Sequence, residues 1–470
     1  MAIDLIIENG KVVTTEGVAE ADVAIDKGKV VGIGGKGIFP EAERKIDARG
    51  KLVLPGAIDP HTHFEITFMG VSPEETWEMG TKAAAIGGTT TIINFTIQQK
   101  GRPLMEAIKA DIEHLNKLAV VDVALHGCFT DFSDVDAVVN EIPALFDAGV
   151  PSIKEFMIYR HEGWMVDDWA LYNVLEKIRE YNGFVGIHAE NAYIGEGLRN
   201  KFTAEGKTEP KYHPISKPNF VEAEAIQRGC SIADFARANL YIAHMSTKEG
   251  VQIVGGYRSK GVPIFSETCT HYLIFKEGVH ADPEMGIYSQ MSPPLRKQED
   301  IDALWGGLAN GTVSFIGSDH VPFNKASKEA GYKRNGFITI PNGVPGVLER
   351  LPVVYSEGVR KNRISLPRMV EVTSTNAAKM FGLYPRKGTI APGSDADIVI
   401  FDPEKKETLG AHFYEGVDWS IFEGIEVTGF PAITLLKGKV IVEDKKFLGK
   451  AGDGQFVKGK VDENVAKSIT

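Results

Sequence analysis

The sequence predicts an α/β protein, a TIM (β/α)8 barrel with a small β-sandwich domain formed by the N- and C-terminal segments. Three observations support this fold class. A strand pattern followed by a helix pattern recurs eight times in the middle of the chain, short β-patterns flank these repeats, and histidines follow several of the strands. Chemistry in such a barrel lies at the carboxyl ends of its strands, so the histidines mark the expected site.

The first fifty residues contain β-patterns and turns, at residues 4–14, 21–33 and 45–54, with a hairpin turn at residues 26–29. Residues 32–37 match the dinucleotide-binding pattern G-x-G-x-x-G. Such a fingerprint has to open a helix, yet here the chain runs into Ile38-Phe39-Pro40 and another strand pattern. We therefore expect a glycine-rich turn between β-strands.

The first barrel strand is expected in the apolar run of residues 51–57, directly before Asp59-Pro60-His61-Thr62-His63. Residues i and i+2 of a strand point to the same face. The imidazoles of His61 and His63 should therefore project together from the end of this strand, close enough to hold one metal ion. The next helix should begin at Ser72, as its N-cap, with Pro73 and Glu75 in its first turn.

Seven further strand patterns alternate with helix patterns, which are clearest at residues 104–118, 221–238 and 301–308. The predicted strands are residues 89–95, 121–129, 152–159, 184–191, 240–246, 263–270 and 312–320.

The β-pattern returns after a helical stretch at residues 366–381, with strands expected at 398–401, 432–436 and 440–442. These segments should join the N-terminal strands in one small sandwich beside the barrel. The polar, glycine-containing tail is expected to pack on a neighbouring subunit. The predicted division is sandwich for residues 1–53, barrel for 54–383, sandwich for 384–450 and tail for 451–470.

Composition excludes several classes of partner. The net charge of −11 argues against nucleic acid and against an anionic membrane surface, because either needs a basic face. No apolar run is long enough to span a membrane, and Met1-Ala2-Ile3-Asp4 lacks the parts of a signal peptide. Three cysteines at positions 128, 230 and 269 form no disulfide framework, so a cytoplasmic location is expected.

Several polar residues stand at or near the ends of the predicted strands. Lys154 lies inside an apolar run, where an unpaired lysine is costly, although pairing with a nearby carboxylate would explain it. A single strand-end histidine is usually only a hydrogen-bonded polar residue, but four of them with one lysine and one aspartate indicate a site. Imidazole and carboxylate suit zinc or a similar divalent ion. The set is His61, His63, Lys154, His188, His244 and Asp319.

With these motifs the chain resembles the cyclic amidohydrolases of the amidohydrolase superfamily, and most closely the dihydropyrimidinases and hydantoinases. The resemblance covers nearly the whole length. The motifs that support it are Asp59-Pro60-His61-Thr62-His63, Gly87-Gly88-Thr89-Thr90-Thr91, His188-Ala189-Glu190-Asn191, Ser292-Pro293-Pro294-Leu295-Arg296 and Pro341-Asn342-Gly343.

The resemblance implies two divalent metal ions per subunit, zinc in the first place and manganese or cobalt otherwise. One ion would be held by His61, His63 and Asp319, and the other by His188 and His244. Lys154 would be carboxylated by carbon dioxide to N6-carboxylysine and would bridge both ions. The resemblance also implies a homotetramer.

The implied reaction is hydrolysis of the cyclic amide bond of dihydropyrimidines and 5-substituted hydantoins to N-carbamoyl amino acids. By the resemblance a metal-bridging hydroxide attacks the ring amide, and Asp319 acts as general acid and base. Tyr159 would donate to the developing oxyanion. The imide edge of the substrate would contact main-chain groups of Ser292 and Asn342.

Other polar residues are expected to be structural. His320 should point away from the barrel axis, and Glu155 should face the helical layer. The loop after the fourth strand, with His161 and Trp164, is implied to shape the pocket for the ring substituent. No ligand role is expected for His126, His213 and His271.

Two related enzymes and one class of non-catalytic relatives match these residues less well. Allantoinase lacks a tyrosine equivalent to Tyr159, and dihydroorotase normally has an arginine after the metal motif, whereas Phe64 and Glu65 follow His63 here. The dihydropyrimidinase-related scaffold proteins of neurons keep the fold but have lost metal ligands, while this chain retains all six. The preferred ring, its enantiomer and the physiological pathway stay open.

Overall fold

A computed structural model of the protein describes residues 3–39 and 41–469, in which an eight-stranded parallel barrel adjoins a nine-stranded sheet. The parts of the predictions that involve Met1, Ala2, Pro40 and Thr470 lie outside the described residues. No helix within the described ranges has the length and apolar character needed to cross a membrane.

The described strands are β1 (Ile3–Thr14), β2 (Gly17–Asp26), β3 (Lys29–Gly34), β4 (Ala42–Asp47), β5 (Leu52–Pro55), β6 (Ala57–Thr62), β7 (Thr89–Ile97), β8 (Asp122–Cys128), β9 (Ser152–Phe156), β10 (Phe184–His188), β11 (Asn239–Ile242), β12 (Ile264–Cys269), β13 (Phe315–Gly317), β14 (Ile398–Thr408), β15 (Glu426–Leu436), β16 (Lys439–Glu443) and β17 (Lys446–Phe447).

The described α-helices are α1 (Trp77–Ile86), α2 (Leu104–Leu118), α3 (Val135–Ala148), α4 (Asp168–Arg179), α5 (Ala192–Ala204), α6 (Tyr212–Ser216), α7 (Asn219–Ala236), α8 (Lys248–Arg258), α9 (Gln298–Asn310), α10 (Lys325–Asn335), α11 (Arg350–Val353), α12 (Leu366–Val370), α13 (Asn376–Met380) and α14 (Glu463–Ala466). Short 3-10 segments are Thr270–Leu273, Glu277–Ala281, Gly336–Thr339 and Ala411–Phe413, and π-helical segments are Val354–Val359 and Glu371–Thr375.

The barrel strands β6 to β13 follow one another in chain order and all pair in parallel. The ring closes between its first and last strands, where Thr62 pairs with His320 and the His63 amide donates to the His320 carbonyl at 3.1 Å. Strands such as β8, β9 and β10 are buried along their full length, because helices cover the outer face. This confirms the predicted fold class.

The first barrel strand differs from the prediction. Residues Leu52–Pro55 form β5 of the other sheet, where Pro55 pairs with Ile398, and the chain then turns into β6. At the turn, a side-chain carbon on Gly56 would lie 2.0 Å from Thr90 Oγ1, so only glycine permits this close approach. His61 therefore lies inside its strand and His63 directly after it.

The start of the first helix was also predicted wrongly. It begins at Trp77, and the side chain of Thr76 caps it by accepting from the Met79 amide. The predicted cap, Ser72, instead hydrogen-bonds the Thr67 hydroxyl, and Glu75 binds a buried histidine. The two polar side chains that would have formed a capping box are thus engaged in other hydrogen bonds.

The nine-stranded sheet joins both ends of the chain, as predicted, because β5 pairs with β1 on one side and with β14 on the other. Residues 32–37 end β3 and enter a turn, which excludes a helix-opening dinucleotide motif. The proposed domain boundaries stay a prediction, with Gly56 as the point where the chain leaves this sheet.

The tail contacts its own chain, and its packing on a neighbouring subunit stays a prediction. The Gly454 amide donates to the Ala119 carbonyl at 3.1 Å, and the Val457 amide donates to the Val123 carbonyl at 2.7 Å. Further along, the Gly459 amide reaches the carbonyl that follows α3 at 2.9 Å. These contacts place the tail across the amino-terminal end of the barrel, where strand β8 begins with free backbone groups.

Candidate metal-dependent active site

The six predicted ligands converge at the carboxyl end of the barrel. His61 Nε2 and His63 Nε2 lie 3.1 and 3.2 Å from Asp319 Oδ1. The His61 and His244 rings are 5.2 Å apart between centroids, and the His188 and His244 rings are 4.4 Å apart. Strands that end at one rim of a barrel explain how residues so distant in sequence meet here.

The donor atoms fit a metal site. Ligand atoms of His61, His244 and Asp319 all lie within 4.8 Å of one another. The Lys154 amine is fully buried without a hydrogen-bond partner, 4.8 Å from the centroid of the Phe95 ring. His244 Nδ1 is likewise buried and unpartnered. Buried polar atoms without partners are rare in proteins, and a bound group would satisfy these.

A carboxylate behind the first ligand orients it. Glu267 Oε1 lies 2.7 Å from His61 Nδ1, and both side chains are fully buried. With Nδ1 occupied in this way, His61 presents Nε2 to the site, as metal-binding histidines usually do. Glu267 is not among the residues predicted from the sequence, although an acidic residue inside the apolar strand pattern at residues 263–270 could have indicated it.

A second buried carboxylate links a ligand to the substrate side of the site. Glu190 Oε2 lies 2.7 Å from His188 Nε2, 3.0 Å from Lys217 Nζ and 2.9 Å from Ser292 Oγ. Lys217 also contacts the Ser292 hydroxyl directly. This network holds the imidazole and the serine in fixed relative positions, and of its four members only Lys217 lies outside the motifs that support the family resemblance.

The pKa shifts follow from burial and from these pairs. Burial disfavours the charged His61 ring, but Glu267 and Asp319 outweigh it and raise the His61 pKa. Burial would raise the pKa of Asp319, yet His61 and His63 hold it well below its usual range. Burial lowers the pKa of His63 and His188 to about 4 and also lowers the pKa of Lys154. Neutral imidazoles and an uncharged amine are forms able to bind metal or carbon dioxide.

The site opens into a pocket at the carboxyl end of the barrel. Tyr159, Ser292 and Asn342 all line it, together with apolar side chains that include Phe68 and Trp164. Burial, with Glu190 and Asp319, raises the Tyr159 pKa well above its ordinary value, so its hydroxyl stays a donor. His161 does not line the pocket and lies 3.4 Å from Glu196 instead.

A second acidic group in the described chain, Asp122, Asp395 and Asp397, already has its cation. Lys387 Nζ lies 2.5 Å from Asp122, 3.1 Å from Asp395 and 2.5 Å from Asp397. These carboxylates therefore form a buried ion cluster rather than a metal site.

The remaining histidines agree with the structural expectation. His320 Nε2 lies 2.7 Å from Glu75, His126 bonds Ser152 Oγ at 2.6 Å, and His213 reaches a main-chain carbonyl at 2.7 Å. His271 is buried with neither ring nitrogen partnered, and burial lowers its pKa to about 4.

Glu155 is buried on the strand that bears Lys154, and neither of its carboxylate oxygens has a partner. Burial raises its pKa well above the ordinary value, so the group is held protonated. Nothing in the described structure explains an acid at this position.

Comparison with known proteins agrees with this geometry. The model of the amidohydrolase family matches residues 52–441. A D-hydantoinase of Ralstonia pickettii is 42% identical over 97% of this chain and 98% of its own length, and a dihydropyrimidinase of Rattus norvegicus is 39% identical over 96% and 88%. The crystal structure of dihydropyrimidinase from Brevibacillus agri superposes with a TM-score of 0.93 at 40% identity, covering 97% of this chain and 99% of that one.

Proposed function

The chain belongs to the amidohydrolase family and is a cyclic amidohydrolase of hydantoins and dihydropyrimidines, and we propose that two divalent metal ions at the carboxyl end of its barrel serve that reaction. One observation above all supports the metal centre. The Lys154 amine is fully buried, has no hydrogen-bond partner and lies among imidazoles and a carboxylate. As an ammonium ion it would repel cations, whereas as a carbamate it would be an anionic ligand.

The ligands divide into two groups that share Lys154. Its unprotonated amine would add carbon dioxide and release one proton, which leaves a carbamate with two oxygen ligands. Burial lowers the Lys154 pKa and so favours the unprotonated amine. Imidazole and carboxylate donors favour zinc, with manganese or cobalt as substitutes. The proposed ligands are His61, His63 and Asp319 for one ion, His188 and His244 for the other, and N6-carboxylated Lys154 between them.

Bound divalent ions would supply an activated water and polarise the ring carbonyl. Asp319, whose low pKa keeps it ionised, accepts a proton from the attacking water and delivers it to the leaving ring nitrogen. The Tyr159 hydroxyl donates to the carbonyl oxygen as that oxygen gains charge. Main-chain groups of Ser292 and Asn342 hold the imide edge. A carbon–oxygen bond forms, the ring carbon–nitrogen bond breaks, and an N-carbamoyl amino acid leaves.

A panel of substrates tests this function and the choice of ring. Purified protein, with its metal content measured, would be assayed on dihydrouracil, hydantoin, both enantiomers of 5-phenylhydantoin and allantoin. We expect about two metal ions per chain and ring opening of the first three kinds of substrate. Absence of bound metal, together with no activation by zinc, manganese or cobalt, would reject the binuclear centre. Turnover of allantoin alone would favour allantoinase.

We further propose a homotetramer in the cytoplasm, with no nucleic acid or membrane as a partner. The net charge of −11 supports the absence of polyanionic partners. The three cysteines are free and buried in the described structure, which suits a reducing compartment. Light scattering tests the assembly, since a stable particle of 51.3 kDa would be a monomer.

A further inference from the structure

A lysine outside the proposed metal site connects two loops of the substrate pocket. Lys328, on helix α10, is fully buried. Its amine donates to the main-chain carbonyl of Gln290 and to that of Pro341, each at 3.0 Å. The two carbonyls belong to segments about fifty residues apart in sequence, so one side chain joins them.

Both segments lead directly into the substrate pocket. Gln290 stands two residues before Ser292, and Pro341 stands directly before Asn342, both of which line the pocket. The Gly343 amide also donates to the Gln290 carbonyl, at 2.9 Å. Lys328 therefore lies behind the point at which the two loops meet.

A role in packing alone does not explain this residue. No carboxylate in the described chain pairs with Lys328, and its amine lies 5.3 Å from the centroid of the Trp419 ring. A buried, unpaired amine is costly, and methionine or leucine would fill the same space without that cost. The amine donates hydrogen bonds to the two carbonyls, which an apolar side chain could not do. Without the amine, each buried carbonyl would lose a hydrogen bond.

We propose that Lys328 is a positioning residue that sets the separation of Ser292 and Asn342, and with it the affinity of the site for the imide edge of the ring. This proposal rests on the proposed function. The contacts of Ser292 and Asn342 with this edge form in the substrate complex as well as in the transition state, and in the described structure the Lys328 amine contacts neither Asp319 nor Tyr159. Their loss should therefore raise KM and change kcat little.

The test compares three variants with the wild-type holoenzyme. Lys328→Met keeps the stem and deletes the donors, and Lys333→Met is a control on the same helix, with its side chain 77% exposed. For Lys328→Met we expect KM for dihydrouracil and hydantoin to rise about tenfold, kcat to change less than about threefold, and metal content to stay as in the wild type. Amide hydrogen exchange should become faster in residues 289–295 and 340–346, and Lys333→Met should change neither quantity.

Lys328→Gln, whose shorter side chain cannot reach both carbonyls, is measured in the same way and replaces Lys328→Met if that variant does not fold. Raised KM with faster exchange in the two loops supports the proposal in either variant. A wild-type KM overturns it, whatever the exchange shows. A wild-type protein that opens no ring would reject the proposed function, and the exchange result would still decide whether Lys328 joins the loops.

Discussion

Three residues of the site hold a backbone conformation that L-residues avoid. Tyr159, His244 and Asp319 have φ values of 63°, 36° and 48°. Each such residue costs about 1–3 kcal/mol and persists only where the surrounding structure enforces it. All three follow a barrel strand, and the sharp change of direction brings their side chains into the pocket instead of continuing the strand. The strain is consistent with pre-organisation of the site at the residue scale.

Replacing Lys154 with alanine should remove the ligand shared by the two proposed ions. We expect loss of bound metal and nearly all activity, because no other described side chain occupies that position. Short carboxylic acids should partly restore turnover by filling the vacated place. The measurements are metal content and turnover with and without the added acid. A Lys154→Ala variant that retains both metals and normal turnover would contradict the bridging role.

Replacing Tyr159 with phenylalanine should separate transition-state stabilisation from binding. The change keeps the ring, which packs 4.9 Å from Phe68 between centroids, and deletes only the hydroxyl. By comparison with other oxyanion donors, kcat should fall by roughly 10²–10³ with a smaller effect on KM. Steady-state kinetics on dihydrouracil and hydantoin measure this, with Phe68→Leu as a packing control. Wild-type rates in Tyr159→Phe would remove the residue from the mechanism.

At the scale of elements, the positions of the strands were more predictable than the tertiary contacts that they make. Regular alternation of strand and helix patterns located seven of the eight barrel strands near their observed positions, and helix α2 coincides with its prediction at residues 104–118. The junction at Gly56 was missed because β5 and the start of β6 form one apolar run, which only the strand pairing divides. Glu267 and Lys328 were missed for a related reason. Their partners are distant in sequence, so no local spacing reveals them.

A buried ion cluster fastens the barrel to the nine-stranded sheet. Lys387 contacts three aspartates. Asp122 lies at the start of barrel strand β8, and Asp395 and Asp397 lie just before β14 of the nine-stranded sheet. Lys387→Met would leave these carboxylates without their buried partner, so we expect about 3–5 kcal/mol of destabilisation in urea unfolding. Lys29→Met, which removes a half-exposed partner of Asp395, is the control and should cost at most about 1 kcal/mol. Equal losses in both variants would contradict a special role for the buried amine.

The same cluster predicts a pH dependence. Burial opposes ionisation of Asp395, but Lys387 and Lys29 lower its pKa from 3.8 to about 2. A carboxyl whose folded pKa is depressed stabilises the fold above its unfolded pKa, and this contribution is lost as pH falls through the folded value. Burial raises the pKa of Asp397, so we assign the loss of stability at low pH to Asp395. The stability gap between wild type and Lys387→Met should therefore narrow between about pH 4 and pH 2. A constant gap would exclude this assignment.

At the scale of the whole molecule, the two ends of the barrel have separate tasks. All proposed ligands lie at the carboxyl end, while the tail covers the amino-terminal end with backbone hydrogen bonds to strand β8 and its neighbours. In this fold the first end is where chemistry occurs and the second mainly determines stability. A polar tail could not be assigned to either end from its sequence, because many of its contacts are main-chain hydrogen bonds, which leave no pattern in the side chains.

The tail therefore offers a test of this division. Val457 is buried in an apolar cluster with Phe184 and Phe381 below the barrel, so Val457→Asp would place an unpaired carboxylate there. We expect Tm to fall by roughly 5–10 °C, while kcat and KM at 25 °C stay near wild type in the folded protein. Lys460→Ala, an exposed change in the same segment, should leave Tm unchanged. A wild-type Tm in Val457→Asp would place the tail away from its own barrel. Dissociation of the assembly without loss of Tm would indicate that the tail packs on the neighbouring subunit. Lost turnover in the folded variant would show that the amino-terminal end of the barrel also affects catalysis.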